Sequence, residues 1–292
     1  MQGCIMKALS GFYYVSDGNG IYTCRGRGKL RLNGSSPLVG DRVEFVRNAD
    51  GSGTVMNLLP RRNSFVRPAV ANIDLMVIVA AAVSPVSDPF LLDRMTALAE
   101  KHGCEVLICI NKADLNPGDK LYETYSQAGY RVIRTSTVTR QGIDELSAAL
   151  QGVTAAFSGN SGVGKSSLLN ALEPRLSLLT AEVSEKLGRG KHTTRHVQLF
   201  PLSGGGYLAD TPGFGSFDVE QMEPLRKEEL QDCFREFAPY LGKCRFKDCA
   251  HLKEPDCAVL EAVRHGDIQL TRHESYSRLY EQAAKTPEWA TK

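Results

Sequence analysis

Over the first sixty or so residues, apolar and polar positions alternate in short runs, the period of half-buried strands. Five strands are predicted, at residues 11–15, 21–24, 29–32, 42–46 and 53–58. Asp17-Gly18-Asn19-Gly20, Asn33-Gly34 and Asp50-Gly51 separate them with residues that tolerate turn geometry. Five short strands in this length predict an OB-type β-barrel over residues 1–67, and residues 61–68 read as a linker. From residue 73 the pattern changes. Residues 73–82 form a continuous apolar run, the signature of a buried strand. Asp88 and Pro89 then start a helix that carries Leu91, Met95 and Leu98 at helical spacing and stops at Gly103. Apolar runs at 106–110, 130–133, 153–157 and 206–209 alternate with helical stretches near 116–129, 142–150 and 167–172. That alternation predicts a doubly wound, mostly parallel α/β sheet over residues 68–217, with ligand loops at the carboxyl ends of its strands. Residues 218–292 turn helical and charged.

Composition narrows the class. Hydrophobic residues make up 42% and charged residues 23%, a balance that supports packed cores and excludes a disordered chain. No apolar run is long enough to span a membrane, since residues 73–83 are too few and include Asp74. The N-terminus lacks the layout of a signal peptide, so a cytoplasmic protein with no membrane partner is expected. The eight cysteines are therefore thiols or metal ligands, not disulfides. Cys104, Cys109 and Cys233 read as small buried hydrophobes; Cys4 and Cys24 have no assigned role. The net charge of +2 conceals an asymmetry: residues 1–67 hold ten Lys and Arg against four Asp and Glu, the remainder 25 against 29. Arg25, Arg27, Lys29 and Arg31 concentrate that charge, and Tyr13, Tyr14, Tyr22 and Phe45 are available for stacking. The combination fits RNA binding; the alternative is that the rings are core and the charges a solvated face.

The chemistry centres on Gly159-Asn160-Ser161-Gly162-Val163-Gly164-Lys165-Ser166, a GxxxxGKS phosphate loop between an apolar run and the helical Ser167-Leu168-Leu169. Its glycines let backbone N–H groups turn toward a polyphosphate, Lys165 reaches the β- and γ-phosphates, and the Ser166 hydroxyl is a Mg²⁺ ligand. Asn111-Lys112-Ala113-Asp114 reads as NKxD, in which a carboxylate accepts both guanine N–H donors, a pair that adenine lacks. Lys112 can lie along the base, and Asn111 can brace the loop. Asp210-Thr211-Pro212-Gly213 supplies DxxG, Thr193 and Thr194 (the latter the Mg²⁺ candidate) sit where a switch threonine belongs, and Ser136 fits the loop that closes over guanine. Residues 173–196 form a long polar segment, as expected of a switch that orders around γ-phosphate and Mg²⁺. Together these elements describe a GTP- and GDP-binding P-loop domain.

Their order is permuted: NKxD and the serine loop precede the phosphate loop, the switch threonines and DxxG. In this the chain resembles the ribosome small-subunit-dependent GTPases, the RsgA-type circularly permuted family, over essentially its full length. The resemblance implies a GTPase that binds the 30S subunit or its precursor and 16S rRNA, is stimulated by it, and assists late maturation. A monomer is expected. It also favours the RNA-binding reading of the barrel. A second class stays open, a GTP-regulated rRNA-binding assembly factor in which hydrolysis is incidental.

Cys244, Cys249, His251 and Cys257 form a Cys₃His set at uncommon spacing, which leaves open unlinked residues or one structural Zn²⁺. The family's C-terminal zinc domain carries this pattern, so the resemblance implies zinc. Phe214 stands where many GTPases place a water-orienting glutamine, and a phenyl ring cannot do that work, so slow unaided turnover is expected. His192, in Lys191-His192-Thr193-Thr194, is the candidate replacement, with His196 as competitor and an exposed loop histidine as the plain alternative.

Overall fold

The structure is a computed structural model that describes residues 1–28, 36–66, 68–175, 197–210 and 223–285. Five strands close an N-terminal barrel: β1 (Gln2–Leu9), β2 (Phe12–Ser16), β3 (Ile21–Gly26), β4 (Arg42–Arg47) and β5 (Gly53–Leu58). β1, β2 and β3 form an antiparallel meander, β3 pairs in parallel with β5, β5 returns to β4, and β4 closes on β1. Ile5, Val15, Cys24, Val43, Phe45 and Val55 fill the interior. β1 is not among the strands the alternation predicts. A bulge between Ile5 and Lys7 lets Ile5 and Met6 both turn inward, which breaks the period of two. The predicted strand at 29–32 lies outside the described residues. Phe45 is 1% exposed, so it is core and not a stacking surface.

The segment expected to be a linker is a built joint. Arg61 forms an ion pair of 2.6 Å with Asp41, whose side chain is fully buried, and Asn72 donates to the Gly40 carbonyl at 2.9 Å. The Asn63 amide and the Ile73 backbone exchange two hydrogen bonds, and β6 (Ser64–Phe65) pairs with β7 (Val70–Ala71).

The second sheet contains β8 (Leu75–Ala81), β9 (Glu105–Asn111), β10 (Arg131–Arg134), β11 (Thr154–Ser158), β12 (Gln198–Pro201) and β13 (Tyr207–Asp210), in the order β10-β9-β8-β11-β13-β12. All neighbours are parallel except β12 and β13. Helices α1 (Pro89–Lys101), α2 (Asp119–Gln127), α3 (Ile143–Ala149) and α4 (Lys165–Leu172) link the strands. Asp88 caps α1 by accepting the Phe90 N–H, with Pro89 in the first turn, as its sequence indicates. On β8 the inward residues alternate: Met76, Ile78 and Ala80 join the core beneath α1, whereas Val77 and Val79 join that of α3 and α4. A strand apolar on both faces is what two helical layers require. β12 also pairs with β1 at Gln198 and Lys7, so barrel and parallel sheet are one eleven-stranded sheet.

The C-terminal part contains two 3₁₀ turns (Leu230–Cys233 and Arg235–Phe237), α5 (Ala258–His265) and α6 (Leu270–Lys285). Arg272 of α6 is fully buried. Its guanidinium donates to Asp93 (2.8 Å) and Thr96 (3.0 Å) of α1 and in a fork to Glu236 (2.6 and 3.1 Å), with its carbon 4.6 Å from the Phe234 ring centroid. Tyr125 adds a hydrogen bond of 2.7 Å to Asp93. Further along α1, Glu100 takes Arg235, while Lys101 and His102 bind Glu223 at 3.0 and 2.8 Å. Among the described residues no helix is long and apolar enough to cross a membrane.

Removing one partner of a buried ionic centre strands the others without counter-charge. Arg272→Ala should therefore cost about 3–5 kcal/mol in urea unfolding. Arg264→Ala, which breaks an exposed pair with Glu261, should cost less than about 1 kcal/mol. Equal effects of the two changes would refute the central role given to Arg272.

Candidate nucleotide and metal sites

The phosphate loop leaves the carboxyl end of β11 and enters α4 at Lys165. Gly164 has φ +98°, and a Cβ there would lie 2.2 Å from the Asn111 amide nitrogen, so only glycine fits. Val163 is buried and fixes the loop from below, while Ser161, Gly162, Ser166 and Ser167 are exposed and Asn160 is half-buried. Lys165 folds back over the loop, its Nζ donating to the Gly159 carbonyl and, at 2.8 Å, to that of Asn160. Burial lowers its pKa. A polyphosphate offers that ammonium the counter-charge the loop lacks.

The loops expected to read the base meet this loop directly. Asn111, 2% exposed at the end of β9, donates from Nδ2 to the Val163 carbonyl at 2.9 Å. Its Oδ1 accepts from the Thr135 hydroxyl at 3.1 Å, and the Cys109 thiol lies 3.1 Å from that same hydroxyl. Lys112 has φ +61° and donates to the Ser84 carbonyl at 2.8 Å; the Ala113 N–H reaches the Thr135 carbonyl at 3.0 Å. Asp114 is left exposed beyond this brace. Ser136 is buried and accepts the N–H groups of Val138 (3.2 Å) and Thr139 (3.1 Å), so its hydroxyl shapes the loop. Thr135 is a positioning residue the sequence reading missed, though a hydroxyl just before Ser136 was the available signal.

Glu173 is a second such residue. It ends α4 and is 4% exposed. Arg175, foremost, and Ser203 hold its carboxyl at about 2 against the cost of burial. It accepts from Arg175 Nε and the Ser203 N–H at 2.8 Å each, which pins the end of α4 to the turn between β12 and β13. Asp210 ends β13, its Cα in register with Gln198. His192, Thr193, Thr194, His196, Gly213 and Phe214 lie outside the described residues.

The Cys244, Cys249, His251 and Cys257 donor atoms all lie within 4.8 Å of one another. His251 presents Nδ1 to the Cys244 and Cys257 sulfurs at 3.5 and 3.4 Å, and its Nε2 lies 3.1 Å from the Gln231 amide oxygen. That outer contact leaves Nδ1 free to ligate. Burial pushes the Cys249 and Cys257 thiols up and lowers the His251 imidazole. Three thiols and one imidazole so arranged fit a four-coordinate metal ion with no open position.

On the barrel, Arg25 and Arg27 are exposed, with Arg25 4.6 Å over the Phe12 ring. Tyr13 and Tyr22 pack partly against the core. Lys29 and Arg31 lie outside the described residues.

The RsgA GTPase family matches residues 58–220, and the RsgA N-terminal domain matches residues 2–55. The chain is 45% identical over 282 residues to the small ribosomal subunit biogenesis GTPase RsgA of Caldanaerobacter subterraneus subsp. tengcongensis, covering 96% of this chain and 94% of that protein. It is 46% identical over 288 residues to the protein of that name from Bacillus cereus, covering 96% and 97%. The crystal structure of YjeQ from Thermotoga maritima superposes with a TM-score of 0.82 at 35% identity, covering 98% of this chain and 99% of that one. That of YloQ, a circularly permuted GTPase, gives 0.79 at 36%, covering 98% and 96%.

Gly164→Ala should push the Asn111 amide away and weaken binding of a fluorescent guanine nucleotide by about 5- to 150-fold, the effect of roughly 1–3 kcal/mol of local strain. Gly152→Ala, also at positive φ (+71°) but facing open space, should leave nucleotide affinity unchanged. A Gly164→Ala protein with ordinary affinity would show that the loop and Asn111 are not coupled.

Proposed function

This chain belongs to the RsgA GTPase family, and from that membership we propose that it hydrolyses GTP on the small ribosomal subunit or its precursor and assists late maturation in the cytoplasm. The observation that carries this reading is the hydrogen bond from Asn111 to the Val163 carbonyl. It holds the guanine-reading loop against the phosphate loop, as one nucleotide spanning both requires. Residues 159–167 would cradle the phosphates, with Lys165 turning from its own carbonyls to the β- and γ-phosphates. Asn111, Lys112, Ala113, Asp114 and Ser136 would enclose the base. Ser166, Thr194 and, through water, Asp210 would hold Mg²⁺, which when bound offsets charge on the β- and γ-phosphates.

Within this reading the chain divides into an RNA-binding barrel (1–67), the permuted GTPase domain (68–217) and a zinc-binding helical domain (218–292), and acts as a monomer. Phe214 makes turnover slow until the subunit is engaged, and His192 orients the attacking water. Zinc held by Cys244, Cys249, His251 and Cys257 would lock the loops that present them and take no part in hydrolysis.

GTP turnover by the purified chain should be slow and rise on adding 30S subunits, whereas 50S subunits should not raise it. No response to 30S would favour the assembly factor with incidental hydrolysis. Asp114→Asn should shift preference from guanine toward xanthine nucleotides, because the unmodified site rejects a base that strands its polar groups by roughly 10⁴ or more. Metal analysis should return one zinc per chain, and Cys249→Ser should lose it while binding GTP normally. A metal-free, fully folded native chain would remove zinc from the reading.

A further inference from the structure

We propose that Ser87 is a positioning residue for guanine-nucleotide binding, an inference that rests on the nucleotide site proposed above. By closing the turn between β8 and α1 it fixes the Ser84 carbonyl that holds Lys112. The turn itself carries no nucleotide-binding motif. Ser87 is 3% exposed, and two hydrogen bonds of 3.0 Å tie it to Ala81, the last residue of β8. Its hydroxyl accepts the Ala81 N–H, and its own N–H donates to the Ala81 carbonyl. Asp88 then caps α1. Residues 82–86 are thus a short arch with both feet fixed, and the foot at Ala81 is in register with Asn111 on β9.

The arch reaches two loops of the site. Lys112 Nζ donates to the Ser84 carbonyl at 2.8 Å. Pro85 lies against the phosphate loop, two of its ring carbons 3.2 Å from where a Cβ on Gly162 would stand. Ser84, Pro85 and Val86 are all exposed, so burial does not hold the tip of the arch in place. The clasp between Ser87 and Ala81 does.

Lys112 benefits from a fixed acceptor because its ammonium rides on a flexible four-carbon stem. Ordering one such side chain at the moment of binding costs roughly two- to tenfold in affinity. Anchored at Ser84, the stem is already ordered when the base arrives. One serine can secure this because Ala81 is fully buried, so its N–H has no water as an alternative partner. Truncating Ser87 leaves that donor unpaired unless the arch shifts, and the Ser84 carbonyl shifts with it.

The test is stopped-flow and equilibrium binding of fluorescent GDP and a fluorescent non-hydrolysable GTP analogue to the full chain, with melting temperature as the check on the fold. Ser87→Ala should weaken both nucleotides roughly two- to tenfold, mainly through faster dissociation. Lys112→Met keeps most of the stem without the ammonium, so Ser87→Ala made in that background should cost little more. Val86→Ala, at the exposed tip, should bind as the native chain does. Ser87→Cys, similar in size but a weaker acceptor, should lose less than Ser87→Ala, and it carries the same cycle if the alanine variant does not fold. Native affinity in Ser87→Ala, or losses from Ser87→Ala and Lys112→Met that add in full, would overturn the role given to Ser87. A loss confined to the GTP analogue would overturn it too, because the effect would then lie at the γ-phosphate and not at the base. A native chain that binds neither nucleotide would overturn the nucleotide site itself.

Discussion

Everything the nucleotide site can do depends on the contact between Asn111 and the Val163 carbonyl. Both groups are buried, so the bond has no water to replace it, and breaking it would strand a donor and an acceptor at once. The loops it joins are about fifty residues apart in the chain, yet they leave the same sheet edge on either side of β8. That is why permutation is tolerated. In a parallel sheet every carboxyl end lies on the same edge, so the order in which the strands are visited does not alter which loops meet.

The same economy joins the barrel to the GTPase sheet. β1 gives its first residues to β4, closing the barrel, and then passes to β12 through Lys7 and Gln198. Arg61 with Asp41, and Asn72 with Gly40, secure the other side. A rigid joint holds the barrel against the nucleotide domain in one orientation. β12 follows directly on the stretch that carries the threonines and His192, so the strand leaving that stretch is bonded to the barrel.

Helix α1 is the spine for the C-terminal part. Its cap stands beside the residue 82–88 turn, where Ser84 receives Lys112. Its middle supplies Asp93 and Thr96 to Arg272, and its last turn supplies Glu100 and Lys101. The metal-ligand set is tied to the same region, with His273 hydrogen-bonded to the His251 carbonyl at 2.7 Å. An ion pair network without solvent contributes less to net stability than its contacts suggest, but it admits few alternative packings. Here it sets the C-terminal part in one position on the helix that leads into β9 and Asn111.

The loops expected to hold the nucleotide could be located in the sequence because such motifs fix residue type at set offsets: glycines where backbone must turn, a lysine, a hydroxyl, a carboxylate. The helix starting at Asp88 and the strand of residues 75–81 were equally legible, since caps and apolar runs act locally. The Cys₃His set could be named but not gathered by its spacing alone. What escaped was non-local. β1 hid behind a bulge, Phe45 turned inward although its neighbours suggested a stacking face, and the linker proved to be a joint made with Gly40 and Asp41. Thr135, Glu173 and Arg272 carry no local pattern, because each takes its role from partners that only the fold brings near. Sequence determines the chemistry that a few residues can perform. Tertiary structure decides which buried polar groups satisfy one another, since that depends on distances across the core that no periodicity records.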